Sequence, residues 1–402
     1  MIKRIPVSAV RVGMYIADLN NDWIPHNANR RRGVIKNDET VEKIRRLGVR
    51  HVYIDAGKGL DSPDGVPIAE VDQANERQLQ EAGALKPIRQ IRTDMEQEFT
   101  LALKTHEEAQ NLVGNLMQNV KLGKAIDLSP VHELAENLRG SVFRNQNALA
   151  CLGRIREKDN YLLEHSVNLS VLMSIFGKAM GHSDDVLHQT IVGALLHDIG
   201  KILTPDHILH KPGRLSPEEF EIMKEHARHS HDLLSATEGI GELTIITAAQ
   251  HHERMDGSGY PMGLKGDEIS IHGRMVAIAD VYDAITSDRA YHKGITPSQG
   301  LKKLLEWSGD HLDPHLVRQF IRCIGLYPVG SLVLLESGRL GVVIETNEDD
   351  QRLPVVRVMY HTRFRLPIPV ETIDLSRPGS QDRIEKAVDP QTYGIDVRKF
   401  LS

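Results

Sequence analysis

At 402 residues the chain is too long for one hydrophobic core, so two or three domains are expected. Lys and Arg number 49 against 55 Asp and Glu, a formal charge of −6, which supplies no basic field for a nucleic-acid polymer. The two cysteines, Cys151 and Cys323, form no CxxC pair, which excludes a zinc ribbon or a disulfide framework and points to a reducing cytoplasm.

Lys3 and Arg4 precede a run broken by Pro6 and Arg11, so no signal peptide is expected. No stretch approaches the ~18 apolar residues of a membrane span, so membrane insertion is not expected either. Residues 1–60 read as a small α/β domain. Ile5-Pro6-Val7, Met14-Tyr15-Ile16 and Val49 to Ile54 are strand candidates, and Asp38 to Gly48 has helical periodicity. Residues 61–91 carry Gly, Pro, Asp and Gln with few large apolar side chains and are expected to be a linker. Over 92–142 a helical connector is predicted. Its seam of Phe99, Ala102, His106, Ala109, Val113, Leu116 and Val120 suits a helix packed on its own protein better than a coiled coil. Ser129-Pro130 opens its second helix. A predominantly helical domain follows over 143–327. Beyond Tyr327-Pro328 short β-rich runs predict a small β module with a polar tail, 328–402.

The 20 histidines crowd into the middle of the chain, and neutral imidazole is the commonest protein metal ligand. The centre of this crowding is Leu195-Leu196-His197-Asp198-Ile199-Gly200-Lys201. Alone, such a pair is more often a core histidine satisfied by its neighbour. A carboxylate has two oxygens, however, so Asp198 can bridge two cations while His197 binds one.

Further ligands follow from helix faces. His165 falls among Leu162, Leu169, Leu172, Met173 and Phe176, and so points inwards. Ser216-Pro217-Glu218-Glu219 is a capping box, and the helix it opens places His226 on the face of Phe220, Met223, Ser230 and Leu234. His229 and His231 fall towards its edges. His251-His252 closes an apolar helix, and Asp280 ends the apolar run Met275 to Ala279, where an uncompensated carboxylate is costly. Asp283, one turn on, is its rival; its ordinary reading is a solvated or Arg-paired acid. These seven ligands are all N and O donors, which suits a pair of divalent ions such as Fe or Mn and excludes a thiolate zinc site. No phosphate-binding glycine loop competes, since Gly257-Ser258-Gly259 follows no strand.

Taken together, these residues resemble the HD-GYP family, a branch of the HD phosphohydrolases. The match runs through His165, His197 to Lys201, His226, His251-His252-Glu253, Asp256-Gly257-Ser258-Gly259-Tyr260-Pro261, Asp280 and Arg289-Ala290-Tyr291. Val12 to Ile16 and Val52 to Asp55 resemble an uncharacterised domain found ahead of such modules. The resemblance implies a mainly α fold, with a helical HD-type domain carrying a two-metal site. It implies hydrolysis of cyclic di-GMP to pGpG and on to GMP by a metal-bridging hydroxide. One metal would be held by His165, His197 and Asp280, the other by His226, His251 and His252, with Asp198 bridging. Lys201 would act as a catalytic and substrate-binding group, Arg289 would hold a phosphate, and Gly257, Gly259, Tyr260 and Pro261 would flank the substrate. Three departures stand out: Tyr161 where some members place a metal-binding Glu, which favours two metals; His292 where the family has Arg or Lys; and Ala227 for a usual proline. A homodimer, and signalling partners reached through the Gly-Tyr-Pro loop or the N-terminal domain, are compatible with this reading. The competing readings are a catalytically weak cyclic di-GMP receptor, and the same chemistry on another cyclic dinucleotide or nucleotide.

Overall fold

A computed structural model describes residues 1–21, 32–83, 93–155, 161–211, 213, 215–288, 294–347 and 349–401. The chain divides into two compact units, Met1–Gln78 with Asp206–Met223, and Leu79–Pro205 with Lys224–Ser402.

The first unit holds strands β1 (Ile2–Pro6), β2 (Tyr15–Asp18), β3 (Gly33–Val34), β4 (His51–Asp55) and β5 (Val66–Pro67), with helix α1 (Asp38–Arg45) before β4. Their order is β3-β2-β4-β1-β5, with every pair antiparallel. Asn37 caps α1 by accepting from Thr40 N, and Val41 and Ile44 turn its apolar face onto a core with Ile5, Met14, Val52 and Ile54. The expected linker is corrected here: 68–83 form helix α2 (Ile68–Gly83). Val71, Asn75, Leu79 and Ala82 are buried at helical spacing, and this sparse stripe is hidden in the sequence by the polar residues around it. Residues 84–92 of that segment lie outside the described residues.

In the second unit, α3 (Met95–Lys121) packs along α4 (Ser129–Leu152) and against α5 (Tyr161–Met180). Its seam is buried on the chain itself, from Ala102 through His106 and Ala109 to Leu116. Glu98 is fully buried on α3, where Ser141 Oγ and Arg144 Nε donate to it at 2.7 and 2.6 Å. The boundary expected at residue 142 falls inside α4, which continues to Leu152 through a kink at Asn145. Then come α6 (Asp184–Leu196), α7 (Asp206–Leu209), α8 (Pro217–Ser235), α9 (Glu242–Ala249), α10 (Ile271–Thr286), α11 (Pro297–Trp307) and α12 (Pro314–Ile324). α5 is the central helix of this group, packed on α4, α6, α10 and α12. The first turns of α8 belong to the first unit and the remainder to the second.

The chain ends in strands β6 (Leu332–Leu335), β7 (Arg339–Glu345), β8 (Val355–His361), β9 (Leu366–Asp374) and β10 (Ile384–Ala387), ordered β10-β6-β7-β8-β9 and antiparallel throughout. One face of this sheet buries Leu340, Val342 and Ile344 with Cys151, and the other buries Val333, Val343, Val356 and Val358. The polar tail is a second correction. β10 pairs with β6, and Leu401 is buried against the first face. Its apolar residues, from Ile384 to Phe400, are too scattered to show the alternation of a strand.

Candidate metal centre

The site lies entirely within the second unit, where α5, the end of α6, α8, the end of α9 and α10 converge. Two imidazoles are oriented by their own helices. His197 Nδ1 is 2.8 Å from Ala194 O, and His251 Nδ1 is 2.6 Å from Ala248 O. A carbonyl only accepts, so each Nδ1 carries the proton and each Nε2 lone pair faces the site. His165 is oriented in the same sense by a carboxylate: its Nδ1 donates to Asp283 Oδ2 at 2.7 Å. Asn168 Nδ2 donates to the other oxygen of Asp283.

The inward atoms form three buried groups: His165, His197 and Asp280; His226, His251 and His252; and His197, Asp198 and His251. In the first, His165 Nε2 is 3.3 Å from His197 Nε2 and 3.0 Å from Asp280 Oδ1. In the second, His226 Nε2 is 3.3 Å from His251 Nε2. Asp198 stands between them. Its Oδ2 lies 3.1 Å from His197 Nε2, and its Oδ1 lies 3.4 Å from His226 Nε2 and 3.9 Å from His251 Nε2. Lys201 Nζ, one 3-10 turn on, reaches Asp198 Oδ2 at 2.5 Å.

Charge states follow from this packing. Burial lowers the pKa of His251 and His252 well below the imidazole range, and neighbouring imidazoles push the same way, so both are neutral at pH 7. Burial alone would raise the pKa of Asp198, but His197 and Lys201 outweigh it and hold the carboxyl well below its usual range. For Asp280, burial is likewise outweighed, chiefly by the hydrogen bond to His165. Burial opposes protonation of His165, yet Asp280 and Asp283 together raise its pKa.

These residues fit divalent cations. His165 Nε2 lies within hydrogen-bond distance of both His197 Nε2 and Asp280 Oδ1, and the three converge as the donor set that a divalent cation requires. Asp198 Oδ1, Asp280 Oδ2 and His252 Nδ1 are buried without a hydrogen-bond partner among the described residues, an arrangement costly in the absence of a cation.

The Gly-Tyr-Pro loop closes over the second group. The Tyr260 ring packs against His252 at a tilt, with centroids 4.6 Å apart, and Tyr260 N donates to His252 O at 3.2 Å. Glu253 holds the loop's far side, accepting from Met262 N at 2.8 Å and Leu264 N at 2.9 Å. Asp256 accepts from Ser258 N at 3.0 Å and faces His311 Nδ1 at 3.2 Å. Gly257 has φ +82°, in the left-handed region. Gly259 needs its missing side chain for another reason: a Cβ there would lie 2.4 Å from Arg254 N.

All seven expected metal ligands thus converge, with Lys201 beside them. His231 is instead exposed against Asp232, and His229 joins none of the three groups. Arg289, with Ala290, Tyr291 and His292, lies outside the described residues, as does the side chain of Tyr161. Asp283 departs from the solvated reading: it is buried, with its Oδ2 2.7 Å from His165 Nδ1. Its three-residue spacing from Asp280 on α10 gave a signal of a shared face, but not of which carboxylate meets His165 Nδ1. Ser230, Glu253 and His311 also acquire roles that spacing alone did not assign.

The chain matches the HD domain family over residues 151–316 and a domain of unknown function, DUF3391, over residues 2–131. A cyclic di-GMP phosphodiesterase of Pseudomonas aeruginosa is 37% identical over 96% of this chain and 91% of the relative. This chain belongs to the HD-GYP family. Within that family it also resembles a cyclic di-GMP phosphodiesterase of Thermotoga maritima, 38% identical over 45% of this chain and 49% of the relative. A 3'3'-cGAMP-specific phosphodiesterase of Vibrio cholerae is 36% identical over 46% of this chain and 34% of the relative. HD-GYP membership carries dependence on divalent metal, consistent with the donor set above.

One consequence is testable at the orienting carboxylate. Asp283→Ala is expected to weaken metal binding by about 10- to 100-fold, since outer carboxylates of this kind fix the ring and its tautomer. Chelator competition on the metal-stripped protein measures this, and unchanged affinity would show that His165 needs no such support.

Proposed function

We propose that this enzyme hydrolyses cyclic di-GMP to pGpG and on to GMP in the cytoplasm, with two divalent ions, iron or manganese, bound at the converged site. The observation that carries this is Asp198, whose two carboxylate oxygens face two different histidine groups. His165, His197 and Asp280 would hold one ion, and His226, His251 and His252 the other. Their N and O donors suit iron or manganese, and the two buried cysteines, which form no disulfide, suit a reducing compartment. When bound, a metal pair supplies Lewis-acid charge and a nucleophile at neutral pH.

The remaining work falls to the chain itself. Lys201 Nζ, held by Asp198 at 2.5 Å, would meet the scissile phosphate. The loop from Gly257 to Pro261 would flank one nucleotide, with its backbone free to approach closely. Arg289 would hold a phosphate. The N-terminal unit and the Gly-Tyr-Pro loop are the surfaces through which signalling partners or a second copy would act.

A second reading is hydrolysis of a different cyclic dinucleotide, favoured by the resemblance to the 3'3'-cGAMP-specific relative. The test is metal content with product analysis, on protein purified without oxygen and given each cyclic dinucleotide in turn. About two Fe or Mn per chain, with pGpG or GMP formed fastest from cyclic di-GMP, is the expected result. Faster turnover of the mixed dinucleotide would move the assignment to that substrate. Bound metal with binding but no product from any of them would leave a receptor.

A further inference from the structure

We propose that Ser230 is a positioning residue that sets the spacing of the two histidine groups by fastening α8 to the His197–Gly200 turn. This rests on the reading of those groups as a metal centre. Ser230 is fully buried, and its Oγ is used twice. It accepts from Gly200 N at 2.9 Å and donates to His197 O at 2.6 Å. α6 ends at Leu196, so the His197 carbonyl is among those its helix leaves without a partner. A hydroxyl can donate and accept at once, which no apolar side chain of this size can do.

The turn also sits directly on the α8 backbone. A Cβ on Gly200 would lie 2.2 Å from His226 O and 2.4 Å from Ser230 N, so only glycine allows this approach. His226 is one turn before Ser230 on the same buried face. The clamp therefore joins His197 and Asp198 on one side to His226 on the other. These are the residues whose separation decides whether Asp198 reaches both groups. Metal binding is thereby made to depend on a residue that touches no metal.

The test uses the full chain stripped of metal and reloaded with Mn²⁺, read by competition with a chelating dye and by the melting midpoint of the metal-free protein. Ser230→Ala is expected to weaken Mn²⁺ binding about 10- to 100-fold, and Ser230→Thr, which keeps the hydroxyl, to restore most of it. Thr105→Ala is the control, because among the described residues that hydroxyl bonds within α3, to Leu101 O, and its loss should leave the affinity unchanged. A Ser230→Ala protein with lowered melting midpoint but wild-type Mn²⁺ affinity would overturn the proposal, reducing Ser230 to packing. If the alanine variant does not fold, Ser230→Cys carries the same decision: weakened affinity supports the clamp and wild-type affinity overturns it. A wild-type chain that takes up no Mn²⁺ would instead overturn the metal centre itself, and the proposal with it.

Discussion

Asp198→Ala is expected to give a folded protein that holds no divalent metal and has lost at least ~10³-fold in turnover. The reason is geometric. Oδ2 serves His197 and Lys201, and Oδ1 faces His226 and His251, so one truncation removes a ligand from both halves of the site. What remains includes His251 and His252, whose pKa values burial has lowered, together with a buried Lys201 that has lost its anion. Asp198→Asn separates charge from shape and should fail nearly as completely, because an amide offers one oxygen and a donor where two acceptors are needed. Metal analysis and circular dichroism on the same samples decide the matter. Two metal equivalents retained in a folded Asp198→Ala protein would sink the bridging role.

Gly259→Ala should separate the substrate from the metals. The new Cβ would lie 2.4 Å from Arg254 N, 2.5 Å from Glu253 Cα and 2.6 Å from Glu253 C. All three are backbone atoms and cannot swing aside, so the loop itself must move. It would carry the Tyr260 ring off His252. A displacement of this size in a substrate-positioning segment costs about 10²-fold in kcat/KM. No ligand atom belongs to the loop itself, so metal content is expected to match the wild type. Wild-type kinetics would place the loop away from the substrate. Loss of metal along with activity would show that the loop also holds the centre together.

Much of this site was legible because each ligand marks itself against an apolar background. His165 and Asp280 sit in runs where a polar residue has no business unless something binds it, and Ser216 to Glu219 fixed the register that turned His226 inwards. The grouping of ligands into two sets came from the family resemblance and not from spacing, because five segments of chain converge and no local pattern says which histidines meet. The same limit hid Asp283: periodicity placed it on the face of Asp280, but the partner of His165 Nδ1 is a tertiary fact. At the ends of the chain the difficulty was different. α2 has a stripe of only five buried residues among polar ones, and β10 is a strand because β6 has an open edge to pair with.

The helix from Ser129 to Leu152 crosses from one inherited module into the next. The first family match stops at residue 131 and the second begins at 151, so nearly all of α4 belongs to neither. α3, inherited with the first, nevertheless packs on α4 and on α5, which carries His165. An exchange of leading modules by recombination at that border would strip a flank from the enzyme's own helical core. A chain carrying the HD domain behind a different leading module would therefore need another surface in place of α3 to cover α4 and α5.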